Sequence, residues 1–183
     1  SPYAEAHIPY LQFVQSADVL YIVHPSYAPR KLSRVSATSW TLSTITFLDG
    51  PYLDYSSSAT TLTTSGATAI GASVTVTASS ITGINGDTGF QTTDVGRYIR
   101  LKISATRYTY LLITGRTSTT VVTATVGGTA MAADPTTVTN TLTAGWALGM
   151  WSDTTGYPAA IAFHEDRLAL SGAPVQAHDI RAG

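Results

Sequence analysis

Apolar and polar residues alternate with a period of two along much of this chain, which is the pattern of strands that bury one face. Val74 and Val76 point one way, with Thr75 and Thr77 the other, and Val122, Ala124 and Val126 repeat the arrangement. No helical spacing of comparable length occurs, so the pattern predicts an all-β protein. Turn residues divide the chain into three segments.

In the first segment (1–54) an apolar run over Asp18–His24 reads as a strand, and Pro25–Pro29 as a turn. Arg30–Val35 and Trp40–Phe47 alternate as half-exposed strands should, with a change of face between Leu42 and Ile45 that suggests a bulge. Three strands joined by short turns make an antiparallel, blade-like meander, closed by Asp49-Gly50-Pro51. The second segment (55–146) opens on a Ser/Thr stretch. It predicts strands over Ser73–Ala78, Arg97–Ser104, Tyr108–Thr114, Thr119–Val126 and Val138–Ala144, with a hairpin loop at Gly115–Ser118. Five or six such strands suit a small barrel or sandwich. In the third segment (147–183) Tyr157–Phe163 and Arg167–Ser171 form a hairpin around His164-Glu165-Asp166, and the tail from Val175 has no evident sheet partner. We expect the outer segments to build one base, with the middle one inserted as a separate domain. Trp146, Trp151 and Tyr157 are expected to pack at the junction.

Composition strengthens the β reading. Only two Glu (Glu5, Glu165) and two Lys (Lys31, Lys102) occur among 183 residues, so the strong surface helix formers are nearly absent. Charged residues make up 11%, against about 25% in an average soluble domain. A surface this neutral gives little protection against association and suits a subunit of a permanent assembly. The net charge of −1 provides no basic field for nucleic acid and no polybasic run for a membrane surface. No apolar stretch reaches the ~18 residues of a spanning helix. With no cysteine there is no disulfide, thiolate zinc site or cysteine nucleophile. The chain lacks an initiator Met and stops at Ile180–Gly183, and we expect it to be a piece of a longer protein.

Candidate chemistry is sparse, and no catalytic, cofactor-binding or metal-binding residue is assigned. His164-Glu165-Asp166 carries metal-ligand types, but consecutive residues in a tight turn diverge. His24 reads as a polar cap at a strand end, and His7 and His178 lie near the termini. Asp49, Asp54, Asp153 and Asp166 adjoin Gly, Pro or Thr, where Asp stabilises turns, rather than forming the carboxylate pair of a glycosidase. No Gly-x-Ser-x-Gly elbow occurs, and Gly83–Asp87 is too short for a phosphate loop. In Asp94-Val95-Gly96-Arg97 a positive φ at Gly96 would let Arg97 pair with Asp94 as scaffolding. Arg30, Lys31 and Arg34 form the one basic cluster, read as a strand face or subunit contact rather than a DNA-lining surface. Tyr52, Tyr55, Tyr108 and Tyr110 are candidates for a sugar-stacking platform, against the plainer reading as core or interface tyrosines.

Three stretches resemble one family. Leu11–Leu32 is similar to a motif of bacteriophage tail proteins of the nozzle or tail tubular protein B type: a QSADV strand, a His-Pro turn and a Pro-Arg-Lys-Leu return strand. Phe90–Ile99 resembles the F-x-x-x-D-V-G-R opening of an inserted β domain labelled by analogy with ubiquitin-activating enzymes. Trp151–Pro158, followed by Phe163–Leu168, resembles the return into the base. The resemblance implies a non-enzymatic structural protein of the virion tail, near the head-to-tail connection. Its partners would be copies of itself in a ring and neighbouring tail proteins, with DNA passing through without sequence-specific binding. It implies no cofactor and no activation chemistry, since the chain has neither an ATP-binding glycine loop nor a cysteine. Members of the family are much longer than this chain. The alternative is a module of a tail protein that binds host-surface glycan.

Overall fold

The computed structural model describes residues 1–67, 69–103, 107–128, 138–139, 145–173 and 176–182. The protein is all-β, with antiparallel sheets throughout. It divides into two compact units: Ser1–Phe47 with Thr155–Gly183, and Leu48–Thr154. The sequence places the boundaries at 54/55 and 146/147, whereas the packing places them at 47/48 and 154/155.

The first unit begins with a 3-10 helix (Glu5–Tyr10) and a four-stranded meander of β1 (Gln12–Ser16), β2 (Val19–His24), β3 (Tyr27–Ser36) and β4 (Ser39–Thr44). Strand β1 is a fourth member that the sequence does not announce. It pairs with β2 through a two-residue loop in which Ala17 sits at φ 48°, where glycine or asparagine would have marked the turn. The bulge expected between Leu42 and Ile45 is not there. Register shifts fall instead between Ile22 and His24, and between Arg34 and Ser36. Strand β3 also starts inside the expected Pro25–Pro29 turn, and Pro29 is buried within it.

The same unit carries a three-stranded sheet of β12 (Ala160–His164), β13 (Arg167–Ala173) and β14 (Gln176–Ala182). From Gln176 the tail thus has a partner after all: β14 pairs along β13, with Ser171 opposite Ile180. Two residues, Glu165 (φ 46°) and Asp166 (φ 61°), turn β12 into β13. Both lie in the left-handed region, as a type I′ hairpin demands. The Tyr21 and Phe163 rings meet edge to face at 5.7 Å, joining β2 to β12.

Among the described residues of this unit Ile22, Val23 and Leu170 are the buried aliphatics, while Phe13 (63% exposed), Val35 (67%) and Trp40 (55%) stand in solvent. A polar cluster fastens the N-terminal segment. Tyr27 Oη accepts from the Ala4 N–H at 2.9 Å and lies 2.9 Å from His7 Nδ1, and the His7 ring stacks on His24 at 4.9 Å. His24 Nδ1 accepts the Ser26 N–H at 3.0 Å, which the neutral ring alone can do. Burial, with a contribution from His7, holds His24 below the usual histidine range.

The second unit is a sheet of seven strands: β5 (Leu62–Gly66), β6 (Ser73–Ala78), β7 (Tyr98–Lys102), β8 (Tyr108–Arg116), β9 (Val121–Val126), β10 (Val138–Thr139) and β11 (Trp146–Leu148). Their order is β10-β5-β6-β9-β8-β7-β11. Strict alternation of buried and half-exposed positions along β7, β8 and β9 defines one inner face. The inner residues, among them Leu62, Val76, Ile99, Leu101, Leu111, Ile113, Val122 and Trp146, form a single cluster. A sheet whose one face closes on one core must curl, and this one forms a half-barrel. Ile84 and Phe90, from the loop after β6, are fully buried in the same cluster.

Several elements differ from expectation here. Strand β5 went unseen because Leu62 is its one large apolar residue. Thr64 takes the next inward position and is buried, so a residue that reads as polar serves as core. The hairpin tip lies at 117–120 rather than Gly115–Ser118, and Gly115 sits in β8 beside a register shift. Strand β11 belongs to this sheet, and Trp146, expected at the junction, is in its core. The outer edge of β11 is covered by 51–56: Leu53 N–H donates to Leu148 O at 2.8 Å, and Ser56 N–H to Trp146 O at 3.0 Å. Covering an edge in this way removes a template for unwanted pairing. Of the expected strand Val138–Ala144, the part from 140 to 144 lies outside the described residues.

Candidate functional site

Alternation on β7 and β8 has a second consequence. While Ile99, Leu101, Leu111 and Ile113 point inward, Tyr98, Arg100, Lys102, Tyr108 and Tyr110 occupy the outer face. The antiparallel register sets Arg100 opposite Tyr110 and Lys102 opposite Tyr108. Tyr52 and Tyr55 arrive from the strand-like segment along β11. The four candidate tyrosines therefore gather on one surface, with Arg100 among them.

The Arg100 guanidinium carbon lies 4.8 Å from the centre of the Tyr108 ring and 5.5 Å from that of Tyr52. Both distances are within cation–π range. Tyr55 approaches Tyr108 at 6.0 Å, and Tyr98 meets Tyr110 edge to face at 5.6 Å. Tyr110 rests against Gly127 and Gly128, where an added Cβ would collide with its ring. The Tyr52 hydroxyl donates to Asp49 Oδ1 at 2.5 Å. Burial, then the Asp49 hydrogen bond, push the Tyr52 phenol far above its ordinary value, so it stays a donor. Among the described residues Arg100 has neither a carboxylate partner nor a hydrogen bond; its guanidinium is held by ring faces alone. Asp49, Arg100, Tyr108, Tyr110, Thr109 and Gly128 line an open cleft of about 450 Å³, with Ile70 at its side.

The second constellation is the Asp94–Arg97 pair, and it is buried rather than open. Gly96 takes φ 91°, the turn that brings the two together. Arg97 Nη1 meets Asp94 Oδ1 at 2.9 Å with both side chains wholly inaccessible. Arg97 also donates from Nε to Gly149 O at 2.6 Å and from Nη1 to Asn85 Oδ1 at 2.6 Å. Asp94 Oδ2 accepts from Asn85 Nδ2 at 2.7 Å and from the Gln91 N–H at 2.8 Å. The network ties the loop carrying Asn85, the 3-10 turn Thr92–Asp94 (η2) and the residue after β11 into one piece. Arg97 Nη2 is the one donor of the pair left buried without a hydrogen-bond partner among the described residues.

The remaining candidates are scattered. His164 and Glu165 are more than four-fifths exposed at the β12–β13 hairpin tip, 4.0 Å apart. His24 and His7 belong to the stacked pair in the first unit. The His178 side chain lies outside the described residues. Asp49 lines the cleft, whereas Asp54, Asp153 and Asp166 are exposed elsewhere. Arg30 and Arg34 share one face of β3 and Lys31 takes the other, so alternation splits the basic cluster. Arg34 also lies 3.9 Å from Asp18. No group of three His, Asp or Glu able to hold a metal occurs among the described residues.

No protein-family model matches the chain, and no curated protein matches it.

Sequence reasoning named the four tyrosines and the Asp94–Arg97 pair but missed Arg100, and it read Asp49 as a turn residue rather than as part of this surface. A signal for Arg100 was present, since Tyr98-x-Arg100-x-Lys102 and Tyr108-x-Tyr110 are same-face triplets and pairs on two adjacent strands. Asp49 joins only through its hydrogen bond to Tyr52, which no spacing rule reveals.

Proposed function

We propose that the chain is a structural, non-catalytic component of a bacteriophage tail, in the region of the head-to-tail connection, whose base unit works by β-mediated assembly. The observation that carries the assembly part is the set of large apolar residues that the first unit leaves exposed. Strands β1 to β4 bury Ile22 and Val23 but leave Phe13, Val35 and Trp40 in water, and Phe163 of β12 is 39% exposed. A folded domain that exposes large apolar residues on two of its sheets gains stability by covering them with further protein. The low charge of the chain fits this, because few Lys and Glu stand guard on the strand edges. The placement in a tail rests on the resemblance of Leu11–Leu32, Phe90–Ile99 and Trp151–Leu168 to the nozzle family.

Sedimentation of the purified chain tests the assembly reading. Self-association that rises with protein concentration is expected, and the double variant Phe13→Ser, Trp40→Ser should shift the population to monomer while keeping its strand content. A chain that is monomeric at high concentration and binds no hydrophobic dye contradicts it.

A further inference from the structure

From the outer face of the half-barrel we infer a saccharide-binding cleft, in which Tyr108 and Tyr110 supply stacking surface while Arg100 and Asp49 hold the hydroxyls of a neutral sugar unit. This goes beyond the assembly role, which concerns the other unit.

The case starts from the state of Arg100. Arg97 in the same domain finds acceptors for its Nε and Nη1 donors in Gly149, Asn85 and Asp94. Arg100 has none among the described residues, although two tyrosine rings hold its guanidinium in place. Donors that are fixed but unused, beside an open cleft, are prepared for a ligand acceptor. Across the same cleft stands the carboxylate of Asp49. Its Oδ1 takes the Tyr52 hydroxyl, and as an acceptor with about four lone-pair sites it retains capacity for a hydroxyl pair.

One donor group, one acceptor group and ring faces between them match a sugar ring. Vicinal hydroxyls donate to a carboxylate and accept from a guanidinium, while the C–H face of the ring lies on an aromatic surface. The walls are fixed beforehand. Tyr110 meets Tyr98 edge to face and rests on the Gly127-Gly128 backbone, and Tyr108 carries Arg100 over one face of its ring. The volume, about 450 Å³, is within the range of small-molecule sites, roughly 300–1,000 Å³. One carboxylate (Asp49) and one guanidinium (Arg100) line the cleft, so the charges of its lining side chains balance, which suits a neutral ligand.

Saturation-transfer NMR on the full chain tests the cleft, using maltotetraose, cellotetraose and a β-galactotetraose as neutral probes and tetragalacturonate as the acidic comparison. Transfer to at least one neutral probe is expected. Arg100→Gln and Tyr108→Ala should each weaken it about tenfold or more, the factor that a single lost anchoring contact makes. Tyr108→Phe, which keeps the ring, should retain it and guards against a folding defect in Tyr108→Ala. Transfer to none of the neutral probes, transfer to tetragalacturonate alone, or binding indifferent to Arg100→Gln would each overturn the proposal.

Discussion

Arg97→Ala is expected to destabilise the half-barrel by about 3–5 kcal/mol, the cost of removing one member of a buried ion pair. Asp94 would remain wholly inaccessible with its positive partner gone. Gly149 O and Asn85 Oδ1 would also lose their donors. Desolvation lowers the Arg97 pKa from its ordinary value, with Asp94 opposing. Arg97→Lys should rescue little. An ammonium can face Asp94, yet it cannot at the same time reach Gly149 O from an Nε position. Urea unfolding followed by tryptophan fluorescence, in a Trp40→Phe background to silence the first unit, reads the effect. A loss below about 1 kcal/mol would place this pair among solvent-screened surface ion pairs and contradict its burial.

Trp146→Ala is the second large effect, also about 3–5 kcal/mol, because it empties a fully packed position in the core. Trp146 is 1% exposed and sits on β11, whose pairing with β7 ends the sheet. Its Nε1 donates to Thr60 O at 2.8 Å, which pins the segment before β5 across the inner face. Trp146→Phe separates the two contributions. It keeps most of the apolar volume but leaves the buried Thr60 carbonyl without its donor, at a cost of about 1–3 kcal/mol. The urea midpoints should rank wild type above Trp146→Phe, and Trp146→Phe above Trp146→Ala. Equality of the first two would mean that the hydrogen bond contributes nothing; with Trp40 and Trp151 retained, each variant still reports fluorescence.

Those two side chains show what the sequence conveys and where it stops. The all-β class, the alternation on β6 to β9 and the turn at Gly96 were legible, because period-two patterning and glycine chemistry are local. Strands β1, β5 and β14 were not. Their turns lack glycine at the decisive position, or their inward residues are threonines, and their pairing is decided by partners far along the chain. Trp146 was misplaced because nothing local says whether a tryptophan near a domain boundary faces a core or a junction. Arg97 was read correctly as scaffolding, yet its reach to Gly149 and Asn85 depends on the fold. The cleft around Arg100 was half legible: its tyrosines stand out by type, while the arginine that organises them is unremarkable in sequence.

The two units divide the proposed work. The half-barrel has a finished core and a covered β11 edge, and it presents its outer tyrosine face. The base unit leaves Phe13, Val35 and Trp40 exposed on its strands. A domain of the first kind can display a binding surface, and one of the second kind is suited to be built into something larger.

Immunogold electron microscopy tests the proposed tail placement most directly, using antibody raised against residues 48–154 on virus particles purified from the source of the chain. Label on the tail close to the head is the predicted result. A chain absent from purified virions, by labelling and by mass spectrometry alike, would contradict the account.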